Sequence, residues 1–554
     1  MNPHASYKCA ARLLMALAAM TSILLISGCG NSSSSTPPPN PTGFTTSSLS
    51  GTYVISVSGT DVNTTASEVG PFAIVGTIVA NGSGGITGGT VDINDPVNTG
   101  VNIGTAVSSS SGYQIGQDGR GTATIVTSAA TFDFDFVLTS TSNGLISRFD
   151  DSATNIGAGS GTIDLQSSAT QSSFTALSFS LSGADTNGSL ASVGTVTLNT
   201  SGTIASGTED FNENGSSSVS TLTGLPVTGG QVVLASSGTS GTALLDSSFG
   251  PGAFAFDVWV IDATHVKWIE TDTSTSGVLL SGDAFTQQTS FPVGQVVFTL
   301  SGQDASENPF VAGGYATATS SGALNPGLED YNDNGTSVTG RSFTATATTA
   351  TPGRYQITTN GFGNASVGNL AFAAYPSSGG VLMLEDDNNG LALGTAYAQT
   401  ATSFNASGGY GLNLSGSNNV NPNINGYAEV DDIAQFDASS AVAPAANMTG
   451  TLDENDLAYQ LVSAAFSGVY TPDTNSDGRG SIVATTTGTL IGGLTLEYYV
   501  VDGSNILFIE QDANQISTGT FQPQSSSSAS AAVSHRASSM VRSVVRPHVV
   551  LRRK

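Results

Sequence analysis

Cysteine is nearly absent from this 554-residue chain, which has only Cys9 and Cys29. Both lie near the N-terminus, so the rest can form no disulfide, no cysteine-held zinc and no thiol nucleophile. Histidine is almost as scarce. Between the N-terminal segment and the C-terminal tail only His265 occurs, in "DATHVKW", where it reads as a solvated hairpin-turn residue. The sequence has no H-E-x-x-H, no G-x-S-x-G and no P-loop. There are two tryptophans, Trp259 and Trp268. Trp268 flanks a turn, where a carbohydrate platform would sit, but core or barrel-wall packing is the favoured reading.

Charge is sparse and one-sided. Charged residues make up 10% of the chain, and long Glu/Lys/Leu/Ala stretches that would build helices are missing. All 41 acidic residues fall between Asp61 and Asp512, a span holding six basic ones: Arg120, Arg148, Lys267, Arg341, Arg354 and Arg479. Such a balance excludes nucleic acid as a partner and favours cations or basic surfaces.

The N-terminus has a processing pattern. Lys8 and Arg12 precede an apolar run from Leu13 to Ile26, shorter than the ~20 residues a membrane-spanning helix needs. It ends in Ile26-Ser27-Gly28-Cys29, and at this point the chain resembles bacterial lipoproteins. The resemblance implies a signal peptide over 1–28, cleavage before Cys29 and lipidation of Cys29. Gly30 after it implies sorting to the outer membrane. Residues 29–49, rich in Ser and Pro, read as a tether. The basic segment 523–554 reads as a disordered tail.

Between these flanks, three landmarks recur in the same order. A strand ending in Ser-Gly appears as "YVISVSG" (53–59), "LSFSLSG" (177–183), "VVFTLSG" (296–302) and "YGLNLSG" (410–416). An acidic pair follows at 148–150, 270–272, 385–387 and 510–512, with Arg148 in place of the first Glu. A closing glutamine follows at Gln166, Gln287, Gln399 and Gln522. This order marks tandem duplication into units 50–166, 173–288, 291–400 and 404–522. Within each unit the apolar period is two, as in Phe132, Phe134, Phe136 and Leu138, or Phe254, Phe256, Val258 and Val260. Gly-rich hairpin punctuation separates about eight short strands per unit. The fold class is therefore all-β, with four antiparallel meanders. Each is read as a small up-and-down barrel, with a β-sandwich as the alternative.

One motif carries possible chemistry. Asp210, Asn212 and Asn214 before Gly215 match the start of a calcium loop, as do Asp330, Asn332 and Asn334 before Gly335. A third match, Asp473-x-Asn475-x-Asp477-Gly478, lies in a different hairpin. The bidentate Glu at position 12 is replaced by Thr221, Arg341 and Ala484. Hairpin turns require Asn, Asp and Gly anyway, so a structural turn is favoured over weak calcium binding. No other cofactor is indicated.

The phrases "GTYVISVSGTD" (51–61), "GRGTATI" (119–125) and "SGTIDLQ" (160–166) resemble tandem-repeat β-rich lipoproteins of acidobacterial type, a likeness that implies no activity. The sequence thus points to a lipid-anchored, non-enzymatic envelope protein, with binding, adhesion or a structural surface role. Its partners would be the membrane, through the lipid, and a surface ligand or protein. The alternatives are carriage of small apolar ligands inside the barrels and, third, a secreted two-carboxylate hydrolase.

Overall fold

The computed structural model describes residues 43–64, 68–150, 156–215, 218–247, 253–272, 278–363, 369–405, 407–439, 446–457, 459–526 and 550–551. The signal segment, Cys29 and most of the basic tail lie outside them. The described chain is almost entirely antiparallel strand, with two short 3₁₀ turns, Thr46–Ser48 and Gln171–Ser173. It forms four meanders, of which the second, third and fourth are closed eight-stranded barrels. The barrel reading therefore holds, and the sandwich does not.

The first meander has nine strands and its two ends do not pair as a continuous ladder. In barrel 2 one long strand, Ser218–Leu234, bridges the third and fifth strands. In barrel 1 the same span is split into Gly100–Ala106 and Gly112–Ile115. A serine turn causes the break: Ser111 N–H donates to the Ser108 carbonyl, and the two Ser108 and Ser110 hydroxyls share a bond. Closure is nearly completed by an isolated bridge between Gly85 and Gly112.

Alternation places one side of every strand inside its barrel. Phe132, Phe134, Phe136 and Leu138 fill barrel 1. Phe254, Phe256, Val258 and Val260 do so in barrel 2, and Leu494, Leu496, Tyr498 and Val500 in barrel 4. Each barrel thus has its own core. The glycine of the recurring Ser-Gly lies where first and last strands meet. A Cβ on Gly59, Gly183, Gly302 or Gly416 would come within 1.8 to 2.3 Å of a backbone carbonyl oxygen of the last strand. Only glycine permits that approach.

The flanks contribute more than the sequence indicated. Residues 43–49, expected within the tether, belong to barrel 1, with Phe44 and Leu49 fully buried in its core. Phe174 does the same in barrel 2, and Phe291 and Phe404 pack against the cores of barrels 3 and 4. At the other end, Pro523 completes the last strand and residues 524–526 continue onto barrel 1. The closing glutamine of the fourth unit is accordingly Gln524 rather than Gln522. Its N–H donates to Gly409 O, as those of Gln166, Gln287 and Gln399 donate to Thr52 O, Ala176 O and Gln295 O.

The barrels are not beads on a string. Trp259, Ile261, Ile269 and Leu279 of barrel 2 pack on Val54, Ala73 and Val75 of barrel 1. Phe285 and Val193 of barrel 2 pack on Tyr375, Leu382 and Leu391 of barrel 3. Val297 and Tyr397 of barrel 3 meet Tyr499, Leu507 and Ile509 of barrel 4. Ile433 of barrel 4 meets Val137 and Leu145 of barrel 1, which closes a ring.

Candidate functional site: the clasps between barrels

The two Asp-x-Asn-x-Asn-Gly segments lie along strands, which corrects the turn reading. Asp210, Asn212 and Asn214 belong to Ile204–Gly215, and Asp330 and Asn332 to Ala323–Asp333. Only Asn334 and Gly335 turn the chain, with φ of 51° and 80°. The spacing of two that matches a calcium loop is also the period of a strand, and it puts the motif's side chains on one outer face. That face docks onto the next barrel.

From barrel 2, the Asp210 carboxylate accepts from Arg354 Nε at 2.8 Å and Nη2 at 2.6 Å, and also from the Tyr375 hydroxyl. Asn212 Nδ2 donates to Glu385 O at 2.7 Å and Gly390 O at 2.8 Å, and Asn214 Nδ2 donates to Asp304 O at 2.7 Å. From barrel 3 the pattern repeats. Asp330 takes Arg479 Nε at 2.8 Å, Nη2 at 2.6 Å and the Tyr499 hydroxyl, while Asn332 Nδ2 reaches Glu510 O and Asp512 O. Asn334 accepts from Tyr427 at 2.6 Å.

The other two units hold the same device in a form the sequence pattern did not reveal. In barrel 4, Asp453 pairs with Arg120 of barrel 1 at 3.1 Å, and Asn455 Nδ2 donates to Arg148 O at 2.6 Å and Gly157 O at 2.8 Å. In barrel 1, Asn94 Nδ2 donates to Glu270 O at 3.1 Å, and Asp92 accepts from Trp259 Nε1 at 2.6 Å. The arginine position of barrel 2 is Ser240, which pairs with Trp259 as Arg479 pairs with Tyr499. One clasp of the four therefore has no guanidinium. There Asp257 lies beside Asp92, and burial followed by the Asp92 charge pushes Asp257 up to about 6.

Each clasp aspartate is held from behind by a bulge in the adjoining strand. The N–H of Gly104, Gly224, Gly340 or Ser463 donates to Asp92, Asp210, Asp330 or Asp453 at 2.6 to 2.7 Å. All four donors have positive φ, between 58° and 68°. Gly340 has open space around its Cα, so Gly340→Ala should cost only the left-handed backbone penalty, about 1–2 kcal/mol. Urea unfolding of the full chain measures it. A larger loss would mean that the bulge is sterically crowded.

The clasps use scarce cations. Of the six basic residues in the acidic span, Arg120, Arg354 and Arg479 serve clasps. The other three are paired within their own barrels: Arg148 with Asp61 and Asp150, Lys267 with Asp283, and Arg341 with Glu329. Burial works against the charge of Arg354, but the hydrogen bonds and charge of Asp210 outweigh it and raise the guanidinium above its usual range. Sequence reasoning missed these partners because nothing local ties Arg354 to Asp210. The recurring Arg-Gly at 120–121 and 479–480 was the available signal.

The remaining candidates are also placed. His265 is buried, not solvated: Nε2 lies 2.6 Å from Asp283 and its ring stacks on Phe285 with centroids 4.2 Å apart. Trp268 is fully buried and stacks on Phe179, so it is core rather than a platform. Among the described residues no group of three or more His, Cys, Asp or Glu is arranged to hold a metal ion. The interior of barrel 3 keeps a cavity of about 40 Å³ between Phe298, Phe343 and Phe362, too small for a carried ligand.

No protein-family model and no curated protein matches the chain. Among solved structures, transferrin binding protein B of Haemophilus parasuis aligns at 8% identity and TM-score 0.19, covering 69% of this chain and 83% of that one. The Neisseria meningitidis protein of that name aligns at 10% identity and TM-score 0.19, covering 71% and 84%. The siderophore receptor PirA of Pseudomonas aeruginosa aligns at 8% identity and TM-score 0.13, covering 86% and 80%. Likeness at these scores carries no argument about what the chain does.

Proposed function

We propose that this chain is a lipid-anchored bacterial cell-envelope protein whose four-barrel ring is a rigid, non-enzymatic platform for binding or adhesion. The observation that supports the platform is the fourfold clasp. It fixes every barrel to the next through buried Asp and Asn side chains, so the ring presents one preorganised surface rather than four independent modules. The six basic side chains of the acidic span are consumed by internal pairs, so the carboxylates that do reach its surface meet no free cation of that span and suit cationic or basic ligands. The anchor rests on Lys8, Arg12, the Leu13–Ile26 run and Cys29, and the residue after it points to the outer membrane.

The test of anchoring is Cys29→Ser. The variant should carry no lipid and should leave the membrane fraction on cell fractionation. Unlipidated protein that stays with the membrane would overturn this reading.

A further inference from the structure

The segment expected to be a disordered tail ends in a strand. Val550–Leu551 pairs antiparallel with Ile424–Asn425, Leu551 opposite Ile424 and Val550 opposite Asn425. The same two residues lie beside the Glu68–Asn81 strand of barrel 1. Their pairing partner belongs to the first hairpin of barrel 4, which is enlarged. Its connection runs over 419–427, where barrels 2 and 3 need only 185–187 and 305–308.

That enlarged hairpin is a fixed platform. Ile424 is buried among Val62 and Ala158 of barrel 1 and Ala428 and Leu457 of barrel 4. Asn421 Nδ2 anchors the connection to Asp456 Oδ1 at 2.8 Å, and the Tyr427 hydroxyl donates to Asn334 of barrel 3. The platform lies at the joint with most need of support. Successive barrels are linked through the chain, but barrels 4 and 1 carry the two ends of the fold. Their clasp is also the slighter one: Arg120 meets Asp453 through Nη1 alone, whereas Arg354 and Arg479 each use two nitrogens.

The chain's own end can reach this platform. The last strand of barrel 4 finishes with Pro523 beside Tyr410, at the opposite end of the Gly408–Asn418 strand from the hairpin. Residues 527–549 extend to about 75 Å, against about 35 Å for that strand. Charge agrees, because Arg552, Arg553 and Lys554 directly follow the docked pair. Glu68, which starts the adjacent strand of barrel 1, is exposed, and the first hairpins of barrels 2 and 3 carry Asp185 and Glu307.

We propose that residues 550–554 dock in cis as an added strand on the 419–427 hairpin, holding barrel 4 to barrel 1. Backbone pairing supplies the affinity, and Arg552, Arg553 and Lys554 meet the acidic hairpin face. The proposal goes beyond the surface-binding reading and does not rest on the lipid anchor, so a failed Cys29→Ser test would leave it standing.

Hydrogen exchange, compared between the full chain and a chain ending at Pro547, tests it. Truncation should speed exchange in 419–427 about tenfold, the protection that one backbone hydrogen bond confers, and leave the strands of barrel 2 unchanged. Val550→Pro/Leu551→Pro should match the truncation, because proline removes the donors of the added strand. Arg552→Glu/Arg553→Glu/Lys554→Glu should lose the same protection through charge alone. Exchange in 419–427 that ignores the truncation overturns the proposal, as does a charge-reversed chain that keeps full protection. Protection that grows with protein concentration, beside a species of twice the mass, would assign the tail to a second copy and overturn docking in cis.

Discussion

Asp330→Ala should destabilise the folded chain by about 3–5 kcal/mol, and Asp210→Ala by a similar amount. Neither change removes much apolar surface. What each does is remove the bidentate carboxylate partner of a guanidinium. Asp330 is fully buried and receives two hydrogen bonds from Arg479, one from Tyr499 and one from the Gly340 backbone. Removing it leaves Arg479 Nε, the Tyr499 hydroxyl and the Gly340 N–H without an acceptor at a closed interface, while Asp473 and Glu497 still hold the two terminal guanidinium nitrogens at 3.0 Å. The double variant Asp330→Ala/Arg479→Met should recover part of the loss, because no guanidinium is then left without its main partner, although Asp473 and Glu497 lose their cation. Asp92→Ala is the internal control. Its clasp strands only Trp259 Nε1 and the Gly104 N–H, so about 1–2 kcal/mol is expected. The first urea transition of the full chain, followed by tyrosine and tryptophan fluorescence, gives all four values. Equal losses for Asp92→Ala and Asp330→Ala would show that the ion pair is not what holds the ring.

Stability should fall as pH rises from about 4 to about 8, with barrel 4 the most sensitive. Along the seventh strand of barrel 4, Ile506 and Phe508 face the interior, and alternation carries Glu510 to the same face. Asp432 shares the interior face with Val430 and Ala434 in the same way. Burial, and after it the negative neighbours Asp512 for Glu510 and Glu454 for Asp432, raise both carboxyls well above their ordinary range. Burial pushes Glu454 and Asp456 up to about 7. Elsewhere burial lifts Glu209 and Asp135 to about 7 and Glu329 to about 8.

In the unfolded chain these groups titrate near 4. Between that value and their folded values the native state binds more protons than the unfolded state, so the slope of stability against pH is negative. The stabilisation is complete below about pH 4 and lost as pH passes through about 7 to 8. Barrel 1 lacks the interior carboxyl of the Glu510 position, where Arg148 is paired with Asp61 and Asp150, but its Asp95 and Asp135, pushed up by burial to about 7, place it in the same pH window. A melting temperature at least about 5 °C higher at pH 5 than at pH 8 is the expected result. Glu510→Gln should flatten the profile. A stability maximum near pH 8 would mean that these carboxyls are solvated or neutralised in the folded chain.

The strand period of two, the Gly-rich hairpins and the fourfold order of landmarks were sufficient by themselves for an all-β chain of four barrel-forming meanders. Those signals are local, and a strand's alternation depends only on which of its faces is buried. Part of the ring was also written locally and passed unread. In "VWVI" (258–261) and "YYVV" (498–501) the alternation stops, the mark of a strand buried on both faces. One face there fills the barrel and the other meets its neighbour: Val258 and Val260 face inward, Trp259 and Ile261 outward. What only the tertiary structure decided was the meaning of Asp-x-Asn. A spacing of two fits a calcium loop, a turn and a strand face alike. The choice among them depends on Arg354, Arg479 and Arg120, which lie 144, 149 and 333 residues away in the chain and reach the aspartates only when the four barrels close into a ring.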